Sequence, residues 1–111
     1  MEHVILGFSD CNRRSPFPGV TMHTFEGQHM TLSVVDMQPG AVIPQHQHPH
    51  EQIGYMVQGG GVFRIGAETY QVQAGQMWRI PGNMPHEVTA GPEGLRAIDV
   101  FYPVREDMRP A

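Results

Sequence analysis

The chain has one cysteine, Cys11, so no intrachain disulfide forms; a small disulfide-stapled fold is excluded and a reducing compartment fits. Charge is also scarce: seven Lys and Arg against eleven Asp and Glu, 16% charged residues and a formal net charge of −4. Phosphate backbones are bound by clustered cations, so nucleic acid is not an expected partner. No apolar run approaches the roughly eighteen residues a membrane span needs. The opening stretch, Met1-Glu2-His3-Val4-Ile5-Leu6-Gly7-Phe8-Ser9-Asp10, has too short an apolar run and no basic start for a signal peptide. The expectation is a soluble, cytoplasmic protein without a membrane partner. Helical periodicity is missing too, since apolar residues nowhere keep helix spacing for more than about two turns.

What is present is punctuation. Thirteen glycines and ten prolines interrupt 111 residues, which suits short strands and spoils long helices. Apolar and β-branched runs predict strands at Val20–Phe25, Thr31–Met37, Ala41–Gln45, Ile53–Val57, Gly61–Ile65, Glu68–Val72, Met77–Ile80, His86–Thr89 and Leu95–Tyr102. Between them stand Gln38-Pro39-Gly40, Gly59-Gly60-Gly61, Gly66-Ala67, Ala74-Gly75, Pro81-Gly82-Asn83 and Gly91-Pro92-Glu93-Gly94. Glycine supplies positive φ and proline a preset turn at these places. Many short strands so spaced predict an all-β antiparallel sandwich or barrel. The length suits one domain, residues 1–111, and the 40% apolar content fills a small core. The tail from Val104 to Ala111 reads as a short turn or a frayed end.

Seven histidines are distributed unevenly. His3, His23 and His29 stand alone and read as surface or structural residues. His46 and His48 alternate on one strand, so their rings share a face and can converge on one first-row metal ion. Pro49 breaks that strand, which places His50 and Glu51 in the turn and lets Gln52 open the returning strand. His86 starts another strand after Pro81-Gly82-Asn83-Met84-Pro85.

These residues resemble the two motifs of the cupin family. Gly40, His46, His48 and Gly59 keep the spacing of the first motif, with Gln52 at its glutamate position; Gly75, Pro81 and His86 keep that of the second. Two departures are visible: the second motif's internal glycine is displaced to Gly82, and its closing asparagine is Ala90. The resemblance covers about residues 30–102 and implies a cupin jelly-roll barrel (a double-stranded β-helix). It implies a divalent transition metal, Ni, Zn, Fe or Mn, on His46, His48, Gln52 and His86. Glu51 is the rival fourth ligand, since carboxylates bind divalent ions more strongly than amides. Spacing to Gly59, and parity with Gly54 and Met56 against Ile53, Tyr55 and Val57, favour Gln52. Three neutral imidazoles and an amide leave the ion its full double charge, which favours an anionic, oxygen-bearing ligand.

Asp99 lies among Ile98, Val100 and Phe101, where a carboxylate is disfavoured unless it faces something polar; alternation alone leaves its direction open. The run Asp99-x-Phe101-x-x-x-Arg105-Glu106-Asp107, with His46-Gln47-His48-Pro49-His50-Glu51-Gln52, is similar to the pectin-degradation cupins of the KdgF family. That resemblance implies opening of 4,5-unsaturated monouronates to linear keto forms. Asp99 would be the proton relay, Arg105 a carboxylate or hydroxyl partner, and Phe101 a surface for the sugar ring. Arg64 and Arg79 are further candidate carboxylate partners, although surface strand positions fit them as well. The implied partner is a small anionic sugar acid, and family resemblance and exposed strand edges point to a homodimer. The rival readings are a three-histidine dioxygenase and a non-catalytic sugar- or effector-binding cupin.

Overall fold

The structure, a computed structural model, describes residues 4–109, so His3 and the last two residues of the tail lie outside it. Eight strands follow in order: β1 (Asn12–Phe17), β2 (Val20–Glu26), β3 (Thr31–Met37), β4 (Val42–His46), β5 (Glu51–Ile65), β6 (Glu68–Gln73), β7 (Met77–Ile80) and β8 (His86–Tyr102). Short 3-10 turns at Phe8–Asp10 and Glu106–Met108 flank them. Every pairing is antiparallel, in the order β1-β2-β3-β8-β5-β6, with β4 also on β8 and β7 also on β5. This is the all-β antiparallel architecture the sequence predicts. No helix among the described residues is long and apolar enough to cross a membrane.

Two expectations about strand ends need correction. The pairs Ile53–Val57 with Gly61–Ile65, and His86–Thr89 with Leu95–Tyr102, are each one continuous strand, β5 and β8. These strands pair from Glu51↔Tyr102 to Ile65↔His86, with register slips between Met56 and Gln58 and between Gly59 and Gly61. The glycines bend the ladder without ending it. Gly59 has φ +73° and meets Gly94 so closely that a Cβ would lie 2.1 Å from its carbonyl oxygen. Beyond the bend the neighbours change: β5 leaves β7 for β6, and β8 exchanges β4 for β3. The same two strands thus tie the eight-stranded sheet together.

A further difference is β1, which the sequence did not predict. Asn12-Arg13-Arg14-Ser15-Pro16-Phe17 lacks an apolar run because it is an edge strand, and Pro16 sits at a slip in its register with β2.

Inside, the barrel divides by polarity. Val20, Val35, Met37, Ile43, Met56, Phe63, Leu95 and Ala97 pack one region. Thr31, Ser33, His48, Gln52, His86, Asp99 and Arg105 are buried in another. Along β5 the alternation turns Gln52 and Met56 inward and Ile53, Tyr55 and Val57 outward. That alternation decides which side chains reach the site.

Candidate metal centre

His46 ends β4 and pairs in register with His86, the first residue of β8, while His48 follows two residues on. Ligating nitrogens of the three lie within 4.8 Å of one another. Backbone carbonyls fix the rings: His46 Nδ1 lies 2.8 Å from Pro44 O, His48 Nδ1 3.1 Å from His50 O, and His86 Nδ1 2.8 Å from Met84 O. Each carbonyl accepts a hydrogen bond from Nδ1–H, leaving Nε2 with its lone pair free.

That tautomer creates a conflict that a cation resolves. His86 Nε2 is buried with no partner among the described residues. His48 Nε2 sits 2.9 Å from Gln52 Oε1, two acceptors facing each other once Nδ1 carries the proton. The amide cannot turn over at no cost, because its N–H₂ group donates to Asp99 Oδ1 at 3.2 Å. Burial, then the charges of Arg105 and His86, hold His48 down at about 4; burial first also lowers His86. Both rings are neutral near pH 7, the form that binds metal. The donor set therefore fits a divalent transition metal.

Gln52 faces the histidines and Glu51 points outward and is exposed, which favours the amide as the fourth donor. Arg64 and Arg79 are exposed strand residues. His23, expected to stand alone, packs its ring against Phe8 with centroids 4.0 Å apart, and His29 is exposed.

Asp99 faces inward. It lies on β8 opposite Ser33 of β3 on one side and Gly54 of β5 on the other, and Gly54 is opposite Trp78 of β7. The Trp78 indole N–H donates to Asp99 Oδ1 at 2.9 Å, as the Gln52 amide does. Among the described residues no donor reaches Oδ2. Gly54 is required: a Cβ there would lie 2.3 Å from the indole and 2.4 Å from Asp99 Oδ1. Burial raises the Asp99 carboxyl to about 6 against the opposing pull of Trp78, Gln52 and Arg105, near the value a general acid–base needs at neutral pH.

Arg105 and Phe101 close the other side. The Arg105 backbone N–H donates to Thr31 Oγ1 at 2.9 Å, and its guanidinium lies 4.7 Å from the centre of the Phe101 ring. Phe101 in turn meets His48 edge-on at 5.6 Å. The guanidinium fork is already engaged, with Nε 3.0 Å and Nη2 2.8 Å from the two Asp107 oxygens. This pairing pulls the Asp107 carboxyl down to about 2. As far as Arg109 the tail is the short turn of the two expected alternatives: Asn12 Nδ2 donates to Met108 O at 2.8 Å, and Met108 is buried against the cavity behind the histidines.

Trp78, Gly54, Ser33 and Met108 are the residues whose place at this site reading the sequence missed, along with the pairing of Asp107 to Arg105. Trp78, the chain's only tryptophan, carried the one available signal; its partnership with Asp99 depends on strand register.

Comparison with known proteins agrees. The Cupin domain family matches residues 33–101. The dimethylsulfoniopropionate lyase DddW of Ruegeria pomeroyi is 33% identical over 67 residues, 60% of this chain but only 44% of the lyase. KdgF from a Halomonas species has a similar structure, with TM-score 0.87 and 27% identity, covering 96% of this chain and 99% of that one. An RmlC-like cupin from Shewanella frigidimarina has TM-score 0.86 and 24% identity over 98% and 97% of the two chains. With two histidine-bearing motifs in order and most of the barrel matched, the chain belongs to the cupin family.

Proposed function

We propose that this chain opens 4,5-unsaturated monouronates, the small sugar acids of pectin and alginate breakdown, to linear keto acids. The observation that carries the reading is Asp99, a buried carboxylate beside the three-histidine cluster with one oxygen held by Trp78 and Gln52 and the other without a donor among the described residues. The likeness to Halomonas KdgF across nearly the whole of both chains supports it.

A divalent ion on His46, His48, Gln52 and His86 would supply Lewis-acid stabilisation of negative charge on a substrate oxygen. Asp99 takes the proton of the anomeric hydroxyl. As C1=O forms, the bond from C1 to the ring oxygen breaks and its electron pair leaves an enolate at C5. Asp99 then returns the proton to C4, and the C5 ketone forms. Protons and electrons balance without a redox partner. Phe101 offers a flat apolar surface to the sugar, and Arg105, held by Asp107, offers positive charge to the carboxylate.

The test follows loss of the substrate double bond in the ultraviolet, with metal content measured beside it. Wild type accelerates the loss, and Asp99→Ala abolishes it while keeping its metal. A metal-loaded wild type no faster than spontaneous opening refutes the reading.

A second reading rests on the likeness to the dimethylsulfoniopropionate lyase. The cavity behind the histidines is about 60 Å³, room for a carboxylate or a few waters, which suits a short acid. In that case Asp99 would take a proton from the carbon beside the carboxylate as dimethyl sulfide leaves. Headspace assay for dimethyl sulfide separates the two.

We also propose that two copies pair through the outer sheet face. Leu32, Ile53, Tyr55 and Met77 are exposed there on adjacent, in-register strands, with Ile98 and Val100 between them.

A further inference from the structure

Three hydroxyl side chains are fully buried: Thr24, Thr31 and Ser33. Two are occupied. Thr31 Oγ1 accepts the Arg105 N–H, and Thr24 Oγ1 donates to Glu26 at 3.2 Å. Ser33 Oγ, on a residue only 1% exposed, has no partner among the described residues. A buried unpaired hydroxyl costs stability, and alanine would fill this β3 position without that cost.

Its surroundings suggest why serine stands here. Alternation along β3 turns Thr31, Ser33, Val35 and Met37 inward. Ser33 lies on the wall of the cavity shared by His46, Gln52, His86, Asp99 and Phe101. It is directly opposite Asp99 in the β3–β8 ladder, where facing side chains come within about 5 Å. Trp78 holds Asp99 from the Gly54 side, so Ser33 flanks it on the side left free.

We infer that Ser33 is a substrate-contacting residue whose hydroxyl donates to the substrate oxygen that Asp99 deprotonates. The inference rests on the ring-opening reading. As the proton passes from the anomeric oxygen to Asp99 Oδ2 and the bond from C1 to the ring oxygen breaks, the aldehyde oxygen left behind accepts the Ser33 O–H. Ser33 itself neither gains nor loses a proton, and no further reactant is needed. The hydroxyl is unsatisfied in the free protein because its partner arrives with the ligand.

The experiment compares metal-loaded wild type, Ser33→Ala and Ser33→Thr on a 4,5-unsaturated monouronate, with metal stoichiometry and thermal unfolding measured on each. For Ser33→Ala we expect kcat/KM to fall about tenfold. Its metal content should stay the same and its melting temperature be unchanged or about 4 °C higher. Ser33→Thr, which keeps the hydroxyl, should recover most of the rate. A lower melting temperature for Ser33→Ala reveals a structural partner for the hydroxyl and overturns the inference. So does an unchanged kcat/KM, which leaves the ring-opening reading standing. An inactive, metal-loaded wild type instead removes that reading, and this inference with it.

Discussion

Replacing Gly54 by alanine should cost the barrel far more than one methyl group ordinarily does. In an extended strand the change normally favours folding by about 0.5–1 kcal/mol, because alanine has less backbone freedom to lose. Here the new Cβ would lie 2.3 Å from the Trp78 indole and 2.4 Å from Asp99 Oδ1, so one of them must move. Overpacking of this kind costs about 1–3 kcal/mol. Displacing the indole also breaks its hydrogen bond to a buried carboxylate, a further loss of about 1.5–3 kcal/mol.

The clash outweighs the entropy gain, and the net destabilisation is about 2–4 kcal/mol. For a chain of this length that lowers the melting temperature by about 10–20 °C. Urea unfolding of wild type, Gly54→Ala, Trp78→Leu and the double variant measures both the loss and its origin. If the methyl and the indole compete for one space, the double variant is more stable than the sum of the single losses predicts, by about 1–2 kcal/mol. Turnover of Gly54→Ala should also fall while its metal content stays, since the displaced carboxylate is not a ligand. A change below about 0.5 kcal/mol, or strict additivity with Trp78→Leu, refutes the reasoning.

Three further outcomes follow from the same geometry. His86→Ala should abolish metal uptake, and chelation of wild type should remove about 2.7 kcal/mol of stability relative to metal at a hundredfold excess over its Kd, read as a lower melting temperature. Arg105 holds Asp107 down to about 2 from 3.8, so this ion pair contributes fully above pH 3.8 and is lost as pH falls toward 2. Because the Asp107 side chain is 57% exposed, Asp107→Asn should cost less than about 1 kcal/mol at pH 6, with the two unfolding curves converging near pH 2. Under the proposed pairing wild type should sediment as a dimer and Met77→Glu, on the outer sheet face, as a monomer; a wild-type monomer removes the pairing, and an unchanged dimer mass removes that face from it.

Where local chemistry decides structure, the sequence reading and the fold coincide. Thr31–Met37 and Met77–Ile80 are strands with the expected bounds, since alternation and flanking turn residues mark both ends. The long strands were not legible because glycine can end a strand or bend one, and only the partner ladder decides between them. Gly59-Gly60-Gly61 keeps its hydrogen bonds through β6 and β8, so it bends. The site divides the same way. His46, His48 and His86 cluster as the resemblance to the two cupin motifs implies, with Gln52 beside them. The contact of Trp78 with Asp99 follows from register across β7, β5 and β8, which no local pattern reports. Asp107 was legible as a residue but not as the holder of Arg105, whose charge was assigned wholly to the substrate.

Position 52 joins the two halves of the site. Gln52 Oε1 faces His48 Nε2 while its amide N–H₂ group donates to Asp99, so under the proposed function one side chain would serve the metal and orient the base. A glutamate here would bind a divalent ion more strongly, yet it has no proton to donate when ionised. It would set a second carboxylate about 3 Å from Asp99 Oδ1, and two such groups cannot both ionise readily. Either Asp99 holds a proton and ceases to be a base, or the new carboxyl holds one and gains nothing as a ligand. Gln52→Glu should therefore keep or tighten metal binding and lower kcat, a split that separates holding the ion from using it. Metal affinity by competition with a chromophoric chelator, set beside turnover, reads both. If the variant turns over as fast as wild type, the amide is only a ligand and its bond to Asp99 is incidental.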